Sequence, residues 1–322
     1  MTKEQVLAAL RRSSDQYVSG EELASSLGIS RTAVWKAVSQ LRAEGYPIDS
    51  VPRRGHRLSP DFDVLSEDGI REYLHSRHLK LQVFPSISST NTVLKQLAQE
   101  DTPAPLALVA GEQTAGRGRL GRTFYSPAGT GLYLSLLLRP DLPVTEAVSL
   151  TACAAVSAAE ALESLSHAPI GIKWVNDLFL GGKKICGILT EAGLEGETGR
   201  MSYVIIGIGV NLRTPEGDFP EDIRETAGSV FGETAVPDLR NRLAAGILDR
   251  LLRYAEAPSA PAVFEGYRSR SLAPGQQIRI LSPGREPESA LALEIERDYA
   301  LRVRMPDGEE RVLRSGEISI RL

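Results

Sequence analysis

The first 60 residues alternate helical patterns with tight turns. The run KEQVLAALRRS has helical spacing, and a second helix is predicted to begin at Ser19, because Ser19 and Glu22 have the spacing of a capping box, and to end at Gly28. Two short strands with a turn near Gly55 follow a third helical run. That run, RTAVWKAVSQLRAEG, repeats apolar residues at helical intervals at Val34, Ala37, Val38 and Leu41. The pattern predicts a winged helix-turn-helix over residues 1–60.

Beyond an acidic, turn-rich segment, predicted to be a linker over residues 61–70, strand-like and helical runs alternate. Among them are the apolar runs GLYLSLLLR and SYVIIGIGVNL and the Ala-rich TEAVSLTACAAVSAAEALESLS. This alternation predicts an α/β domain around one mixed sheet over residues 71–272. After APGQQ the runs become short and alternating, with a Pro-Asp-Gly turn, which predicts a small β-barrel over residues 273–322. The fold class is therefore α+β with several domains.

Composition narrows the class of protein. A hydrophobic fraction of 42% and a charged fraction of 24% over 322 residues are ordinary for a soluble globular protein. The amino-terminal run lacks the apolar block of a signal peptide, and the longest apolar runs are too short to cross a bilayer as helices. We therefore expect a cytoplasmic protein with no membrane partner. Cys153 and Cys186 have no metal-binding spacing and are expected to be buried free thiols.

Charge is distributed unevenly along the chain. Residues 1–60 contain nine Lys or Arg and six Asp or Glu, a net charge of +3, whereas the whole chain carries −4. A basic amino-terminal domain before an acidic body indicates that only the former meets nucleic acid. The residues expected to contact DNA are Arg31, Thr32, Trp35 and Lys36 in the recognition helix and Arg53, Arg54 and His56 in the wing. The alternative is a solvated helix face with Trp35 at the edge of the core.

Two stretches of the central domain combine small polar groups, glycines and cations. In SSTNT, helix capping explains one of the three polar residues Ser89, Thr90 and Asn91, but hardly all three. A cluster of hydroxyl and amide groups also suits a compact neutral polar ligand. The second stretch, from Gly111 to Pro127, interleaves glycines with Arg117, Arg119 and Arg122, which suits an anion. It lacks the ending of a P-loop. A mobile surface loop or a general polyanion-binding tract remains open as an alternative.

A third stretch, GIKWVNDLFLGGKKICGIL, carries Lys173, Asn176, Asp177 and Lys184 around a predicted hairpin turn at Gly181 and Gly182. Lys and Asp are costly to bury unpaired in apolar strands, so a mutual ion pair is one explanation. Asn, Asp and Lys near a strand end are also the groups needed to hold a nucleotide, a metal and a reacting carboxylate. The pattern favours the functional explanation.

The motifs STN, GRGRLGR, KWVNDL, KKICGIL and GIGVNL, in this order behind a winged helix-turn-helix, resemble those of the bifunctional biotin protein ligases that also repress the biotin operon. The resemblance spans essentially the whole chain. It implies a central domain like that of class II aminoacyl-tRNA synthetases and an SH3-like C-terminal barrel. Val175 stands where the family often has proline, a change that removes no chemical group. Phe124 stands where a tryptophan frequently follows the loop, and its smaller ring still allows adenine stacking.

The resemblance implies a two-step reaction that uses biotin, ATP and Mg²⁺. The biotin carboxylate attacks the α-phosphate of ATP to give biotinyl-adenylate and pyrophosphate. A lysine of the biotin carboxyl carrier protein, a subunit of acetyl-CoA carboxylase, then attacks the mixed anhydride and releases AMP. The adenylate is expected to promote homodimerisation, after which the two amino-terminal domains of the dimer bind a palindromic operator.

The resemblance also implies roles for single residues. Biotin contacts are expected from Ser89, Thr90, Asn91, Gln113, Gly116, Arg117, Gly118, Arg119, Lys184, Gly187, Gly207 and Gly209. ATP contacts are expected from Arg119, Arg122, Phe124, Asn176, Lys184 and Arg321. The catalytic set is Lys184, Arg117, Arg119 and Asp177, with Lys184 between carboxylate and α-phosphate and Asp177 orienting groups or metal. Gly187, Gly207 and Gly209 would let the backbone approach the ligand closely. The arginine–glycine loop is expected to be a lid that orders over the adenylate.

Two alternatives to this function remain at this stage. One is a metabolite-sensing transcription factor without ligase activity. The other is a related acyl-protein ligase that uses lipoate. The arginine–glycine loop and the winged amino-terminal domain favour biotin.

Overall fold

The computed structural model describes residues 2–13, 16–196, 198–281, 286–314 and 316–320. The chain forms two compact units. The first, here called the head, comprises residues 1–73 and 234–242, and the second, the body, comprises residues 74–233 and 243–322.

The head contains the predicted winged helix-turn-helix. Its elements are α1 (Thr2–Arg12), α2 (Gly20–Leu27), α3 (Arg31–Ala43), the antiparallel strands β1 (Ile48–Val51) and β2 (Gly55–Leu58), and α4 (Glu67–Tyr73). The capping box is confirmed, because Glu22 N donates to Ser19 Oγ at 3.0 Å and Ser19 N donates to the Glu22 carboxylate at 3.0 Å. Gly28 ends α2 in the left-handed conformation, with φ of 64°. The four apolar residues predicted on α3 are all buried against α1 and α2.

The structure differs from the prediction of a linker over residues 61–70. Phe62 is buried in the core of the head. Asn241 Nδ2 donates to Val64 O at 2.7 Å, and Arg240 Nε pairs with Asp63 Oδ2 at 2.9 Å. These partners lie about 175 residues further along the chain, so no local pattern in the sequence indicates that this segment is packed.

The body is built on a seven-stranded mixed sheet in the order β3-β4-β5-β9-β8-β7-β6. Its strands are β3 (Lys80–Phe84), β4 (Leu106–Ala110), β5 (Gly131–Leu138), β6 (Gly171–Lys173), β7 (Asp177–Leu180), β8 (Lys183–Leu194) and β9 (Met201–Asn211). Only the pair β3–β4 is parallel. The predicted mixed sheet is confirmed, and the two long apolar runs form its adjacent strands β5 and β9.

Four helices accompany the sheet: α5 (Thr90–Gln99), α6 (Ala147–Ser166), α7 (Leu239–Ala255), whose first turn belongs to the head, and α8 (Pro261–Arg270). The segment Val144–Ser166, which includes α6, is long and apolar enough to cross a membrane by length and composition. However, 72% of its most apolar window is buried inside the protein, where α6 packs on β8 and β9. This helix therefore forms part of the core of the body.

The C-terminal part of the body is a five-stranded antiparallel sheet in the order β13-β12-β11-β10-β14. Its strands are β10 (Gln277–Leu281), β11 (Glu288–Ile295), β12 (Leu301–Arg304), β13 (Glu310–Leu313) and β14 (Glu317–Ile320). The short strands predicted over residues 273–322 are confirmed, whereas their closure into a small β-barrel stays a prediction. The five-stranded sheet is tied to the larger sheet by Trp174, whose indole Nε1 donates to Tyr299 O at 2.8 Å.

Both cysteines are buried and free, as predicted. Burial raises the pKa of the Cys153 thiol to about 12 and raises the pKa of Cys186 as well. Since the thiolate is the nucleophilic form of cysteine, neither side chain is suited to covalent catalysis.

Candidate active site

A cavity of about 800 Å³ in the body brings the three chemically distinctive stretches together. The amino-terminal end of α5, the loop after β4, the β7–β8 hairpin and strands β9 and β14 surround it. Of the predicted ligand-binding residues, it is lined by Ser89, Thr90, Asn91, Gln113, Arg117, Gly118, Arg119, Arg122, Phe124, Asn176, Asp177, Lys184, Gly187, Gly207 and Gly209. Gly116 supports the loop from outside this lining, and Arg321 lies outside the described residues.

The floor of the cavity is a buried polar cluster at the start of α5. Ser89 caps the helix, with its Oγ accepting from Thr92 N at 3.4 Å. Thr90 and Asn91 do not cap the helix but contact Ser135 on β5. The Ser135 hydroxyl lies 2.6 Å from both Thr90 Oγ1 and Asn91 Oδ1. Thr90 N also donates to Gln113 Oε1 at 2.9 Å. Capping therefore accounts for Ser89, and the other two side chains belong to a hydrogen-bond network.

Both N–H donors of the Asn91 amide have acceptors within the protein. Its Nδ2 donates to Leu189 O at 3.3 Å and to Glu191 Oε2 at 3.0 Å, and its Oδ1 faces Ser135. A ligand that accepts from Asn91 Nδ2 therefore has to replace one of these bonds, whereas a ligand that donates to Oδ1 can use its second lone pair. Sequence analysis missed Ser135 and Glu191; the only signal for Ser135 was a single polar residue inside the apolar run LYLSLLL.

The arginine–glycine loop, residues 116–124, folds back on itself as a short hairpin. Gly118 N donates to Arg122 O at 2.7 Å, Phe124 N donates to Gly116 O at 3.0 Å, and a 3₁₀ turn spans Arg119–Gly121. Gly116 is required at the base of this hairpin, because a Cβ there would overlap the Phe124 carbonyl oxygen.

Each of the three loop arginines contacts oxygen acceptors of the body. Arg117 Nη1 lies 3.4 Å from Glu191 Oε1. Arg119 donates to Asn176 Oδ1 at 2.6 Å and to Gly316 O at 2.8 Å. Arg122 makes a two-pronged pair with Glu317, at 2.8 and 2.9 Å.

The pair between Arg122 and Glu317 connects the loop to β14. The hydrogen bonds from Arg122 hold the pKa of the Glu317 carboxyl below its usual value. The guanidinium groups predicted to bind an anion are thus already oriented by carbonyl and carboxylate oxygens at the mouth of the cavity.

The β7–β8 hairpin supplies the cation expected to act in catalysis. Its turn lies at Gly181 and Gly182, as predicted, both with positive φ. Lys184 Nζ pairs with Asp177 Oδ1 at 2.7 Å, and both side chains are partly exposed to the cavity. The sequence analysis considered a mutual ion pair as one explanation for the Lys and Asp of this stretch. That pair is present, and it lies in the cavity rather than in the core.

Lys173 is a further cation of the cavity wall for which the sequence indicated no separate role. Its ammonium lies 5.6 Å from the centre of the Phe179 ring. Burial lowers its pKa, although Asp177 and Glu317 favour the charged form. Lys173 and Lys184 together give the hairpin end of the cavity a positive charge that suits phosphate.

Three glycines of the cavity wall make room for side chains of this protein. A Cβ at Gly207 would overlap Asn91 Oδ1, and a Cβ at Gly209 would contact the Phe124 ring at 2.5 Å. The same ring lies 3.1 Å from the corresponding position at Gly187. We expected these glycines to let a ligand approach the backbone; in this conformation Asn91 and Phe124 occupy that space.

Replacing Gly207 with Ala is therefore expected to weaken binding of biotin, the ligand that the sequence resemblance implies. The new methyl group displaces Asn91 and disturbs its bonds to Ser135 and Glu191, at a cost of about 1–3 kcal/mol for overpacking, or roughly 5- to 150-fold in affinity. Isothermal titration calorimetry with biotin measures the change. Gly20→Ala is the matched control, because the nearest atom to its Cβ is 3.9 Å away in the head. Equal affinities for Gly207→Ala and the control would contradict the prediction.

The head presents the residues predicted to contact DNA. Arg31, Thr32, Trp35 and Lys36 are exposed on α3, and Trp35 is 64% exposed, so it is not a core-edge residue. In the wing, Arg54 stacks 4.5 Å from the Tyr17 ring, a contact that the sequence did not indicate. His56 is less available than Arg53 and Arg54, because its Nδ1 lies 2.6 Å from Ser50 Oγ, and burial lowers its pKa.

The chain is similar to known proteins in both sequence and structure. Residues 83–211 match the biotin/lipoate A/B protein ligase family, and residues 2–57 match an HTH domain. Over 232 residues the chain is 38% identical to the bifunctional ligase/repressor BirA of Bacillus spizizenii, covering 71% of this chain and 70% of that protein. BirA of Escherichia coli is 34% identical over 236 residues, or 73% of this chain and 71% of that protein. The structure of biotin protein ligase from Aquifex aeolicus in complex with biotin and ATP is similar, with a TM-score of 0.60 and 27% identity, covering 75% of this chain and 98% of that chain.

A mixed-sheet ligase domain preceded by a helix-turn-helix unit defines the class as an acyl-protein ligase with a DNA-binding head. Within that class, the chain belongs to the family of bifunctional biotin protein ligases and repressors.

Proposed function

We propose that the protein joins biotin to a lysine of a biotin carboxyl carrier protein by way of biotinyl-adenylate, and that it represses transcription when it carries the adenylate. One observation carries the ligase assignment: a single cavity unites a buried hydroxyl and amide cluster, three loop arginines and the Lys184–Asp177 pair. A compact polar head group suits the floor of this cavity, whereas a carboxylate and a phosphate suit its cationic mouth.

Catalysis in such a site rests on positioning and on stabilisation of charge. We assign Lys184 to the space between the biotin carboxylate and the α-phosphate, where its ammonium offsets the charge that develops at phosphorus. Asp177 holds that ammonium in place at 2.7 Å. Arg119 and Arg122 approach the phosphate side, and Phe124 supplies an aromatic face for adenine. Arg321, which follows β14, stays an additional candidate on the ATP side.

Mg²⁺ is proposed to enter with the phosphates of ATP, whose charge it neutralises. The part of the chain that the structure describes contains no cluster of three or more His, Cys, Asp and Glu side chains arranged as metal ligands. The carboxylates of Asp177 and Glu317 line the cavity, but each is already paired with a cation. We therefore assign no protein ligand set to the metal.

Dimerisation is proposed to use the open edge of β8. This strand pairs with β9 from Cys186 to Leu194 but with β7 only up to Gly187. Among the described residues no strand covers the other edge of β8 between Leu189 and Leu194, which leaves backbone groups for a second copy to pair with. A dimer formed there would present two heads to a palindromic operator.

Several finer assignments belong to the same proposal. The central domain is proposed to be of the class II aminoacyl-tRNA synthetase type and the five-stranded C-terminal sheet to be SH3-like. The protein is proposed to act in the cytoplasm on acetyl-CoA carboxylase, without a membrane partner. The domain limits near residues 60, 70 and 272 also stay proposals. The segment 61–70 between the first two limits is packed in the head.

The test is to measure labelling of a purified carrier protein and binding of operator DNA in parallel, with and without biotin and ATP. We expect radiolabelled biotin to be incorporated only when ATP is present, and operator affinity to rise under the same conditions. Lipoate in place of biotin should give no labelling. Operator binding without any carrier labelling would favour a metabolite-sensing transcription factor, and efficient lipoate transfer would favour the lipoate-type ligase.

A further inference from the structure

We propose that Glu191 is a positioning residue that anchors the arginine–glycine loop to the polar floor of the cavity. It lies on β8, beyond the last residue of that strand that pairs with β7. Its side chain is 18% exposed, and it is absent from the described residues that line the cavity. The inference rests on the proposed ligase reaction, in which the loop retains the adenylate.

The two oxygens of the Glu191 carboxylate contact different parts of the site. Oε2 accepts from Asn91 Nδ2 at 3.0 Å, at the floor. Oε1 lies 3.4 Å from Nη1 of Arg117, the first arginine of the loop, and 3.5 Å from Nζ of Lys95 on α5. One side chain thus joins the loop, the floor and a helix, and it reaches the predicted ligand only through Asn91 and Arg117.

Ionised glutamate is suited to this position because it only accepts hydrogen bonds. The acceptor turns the amide of Asn91 so that its Nδ2 faces Glu191 and its Oδ1 faces Ser135. The negative charge also attracts the two cations at Oε1. Glutamine has nearly the same volume but only one acceptor oxygen, and its NH₂ group facing Arg117 or Lys95 is unfavourable. The substitution Glu191→Gln therefore releases the loop with little change in packing.

The expected effect is on retention of the adenylate rather than on its formation. With Glu191→Gln the first arginine of the loop loses its anchor, so the loop opens more often and the adenylate leaves faster. Partly exposed ion pairs are weak, so we expect release to be about 2- to 5-fold faster. The KM for biotin should rise, while kcat for adenylation should fall less than retention of the adenylate does, because Arg117 loses its anchor but Lys184 and Asp177 are untouched.

A double-mutant cycle tests whether Glu191 acts through Arg117. Release of radiolabelled biotinyl-adenylate is measured after a chase for the wild type, Glu191→Gln, Arg117→Gln and the double variant. Glu191→Gln should accelerate release severalfold in the presence of Arg117 and by less than about twofold when Arg117 is already replaced. Equal acceleration in both backgrounds, or slower release from Glu191→Gln, overturns the inference. Failure of the wild type to form any adenylate would instead count against the proposed function.

Two further variants separate this effect from a general loss of charge or of folding. Glu195→Gln makes the same charge change at an exposed residue just after β8 and should release adenylate at the wild-type rate. Lys95→Gln, at a partly exposed position, removes one of the two cations at Oε1 of Glu191, so that only Arg117 remains there. This variant should release the adenylate no faster than the wild type. This second variant keeps the inference testable if Glu191→Gln does not fold, since threefold faster release from Lys95→Gln would overturn it.

Discussion

Replacement of Lys184 by Ala is expected to lower the rate of biotinyl-adenylate formation by about 100- to 1,000-fold, the usual effect of removing one group that stabilises charge in a transition state. The ammonium is held 2.7 Å from Asp177 at the wall of the cavity, so its position is fixed before the substrates bind. Its loss also leaves Asp177 as an uncompensated negative charge near the phosphates of ATP. The measurement is single-turnover formation of labelled adenylate at saturating biotin and ATP.

The neighbouring residue provides the matched control for Lys184. Lys183 has the same side chain, but its ammonium bonds to the backbone oxygen of Glu225, and it is not among the described residues that line the cavity. Lys183→Ala should therefore leave adenylation within about threefold of the wild type. Circular dichroism checks that both variants fold. Normal single-turnover adenylation by folded Lys184→Ala would remove Lys184 from its proposed role.

The features that the sequence predicted well are those set by residues close together in the chain. The capping box of Ser19 and Glu22 and the hairpin turn at Gly181 and Gly182 depend on local backbone geometry. The same holds for the buried strands, because a long apolar run between turn residues indicates a strand whatever its partners are. The motifs around Arg119 and Lys184 were visible for the same reason, since each is continuous in the sequence.

The features that the sequence did not predict depend on contacts between distant residues. Asp238 follows Pro237 in a short polar segment and resembles a residue of an ordinary loop, yet it is buried in the head beside Arg11, at 3.2 Å. Glu191 sits in a strand where a glutamate is typical of a solvent-facing position, and only the fold brings Asn91 and Arg117 to its carboxylate. Periodicity identifies which face of an element is apolar, but it does not identify the polar partners that another element supplies.

Replacement of Arg119 by Gly is expected to release the adenylate about 10- to 100-fold faster, because hydrogen bonds from a charged donor contribute about 1.5–3 kcal/mol each. Arg119 lies at the middle of the loop and bonds both to Asn176 on the hairpin side and to Gly316 O beside β14. Its loss therefore detaches the loop from two elements and removes a guanidinium from the predicted adenylate site. Adenylation itself should fall much less than in Lys184→Ala.

The readout for Arg119→Gly is the rate at which labelled adenylate leaves the protein in a chase with unlabelled biotin and ATP. Arg200→Gly is a matched control: its guanidinium pairs with Asp141 on the body, and it is not among the described residues of the cavity. Arg119→Lys keeps the charge but loses the planar fork that reaches two acceptors at once, so its release rate should lie between those of the wild type and Arg119→Gly. Because the adenylate is also the proposed signal for dimerisation, operator binding should weaken in the same order as retention. Unchanged retention in Arg119→Gly would show that the loop does not hold the intermediate through this residue.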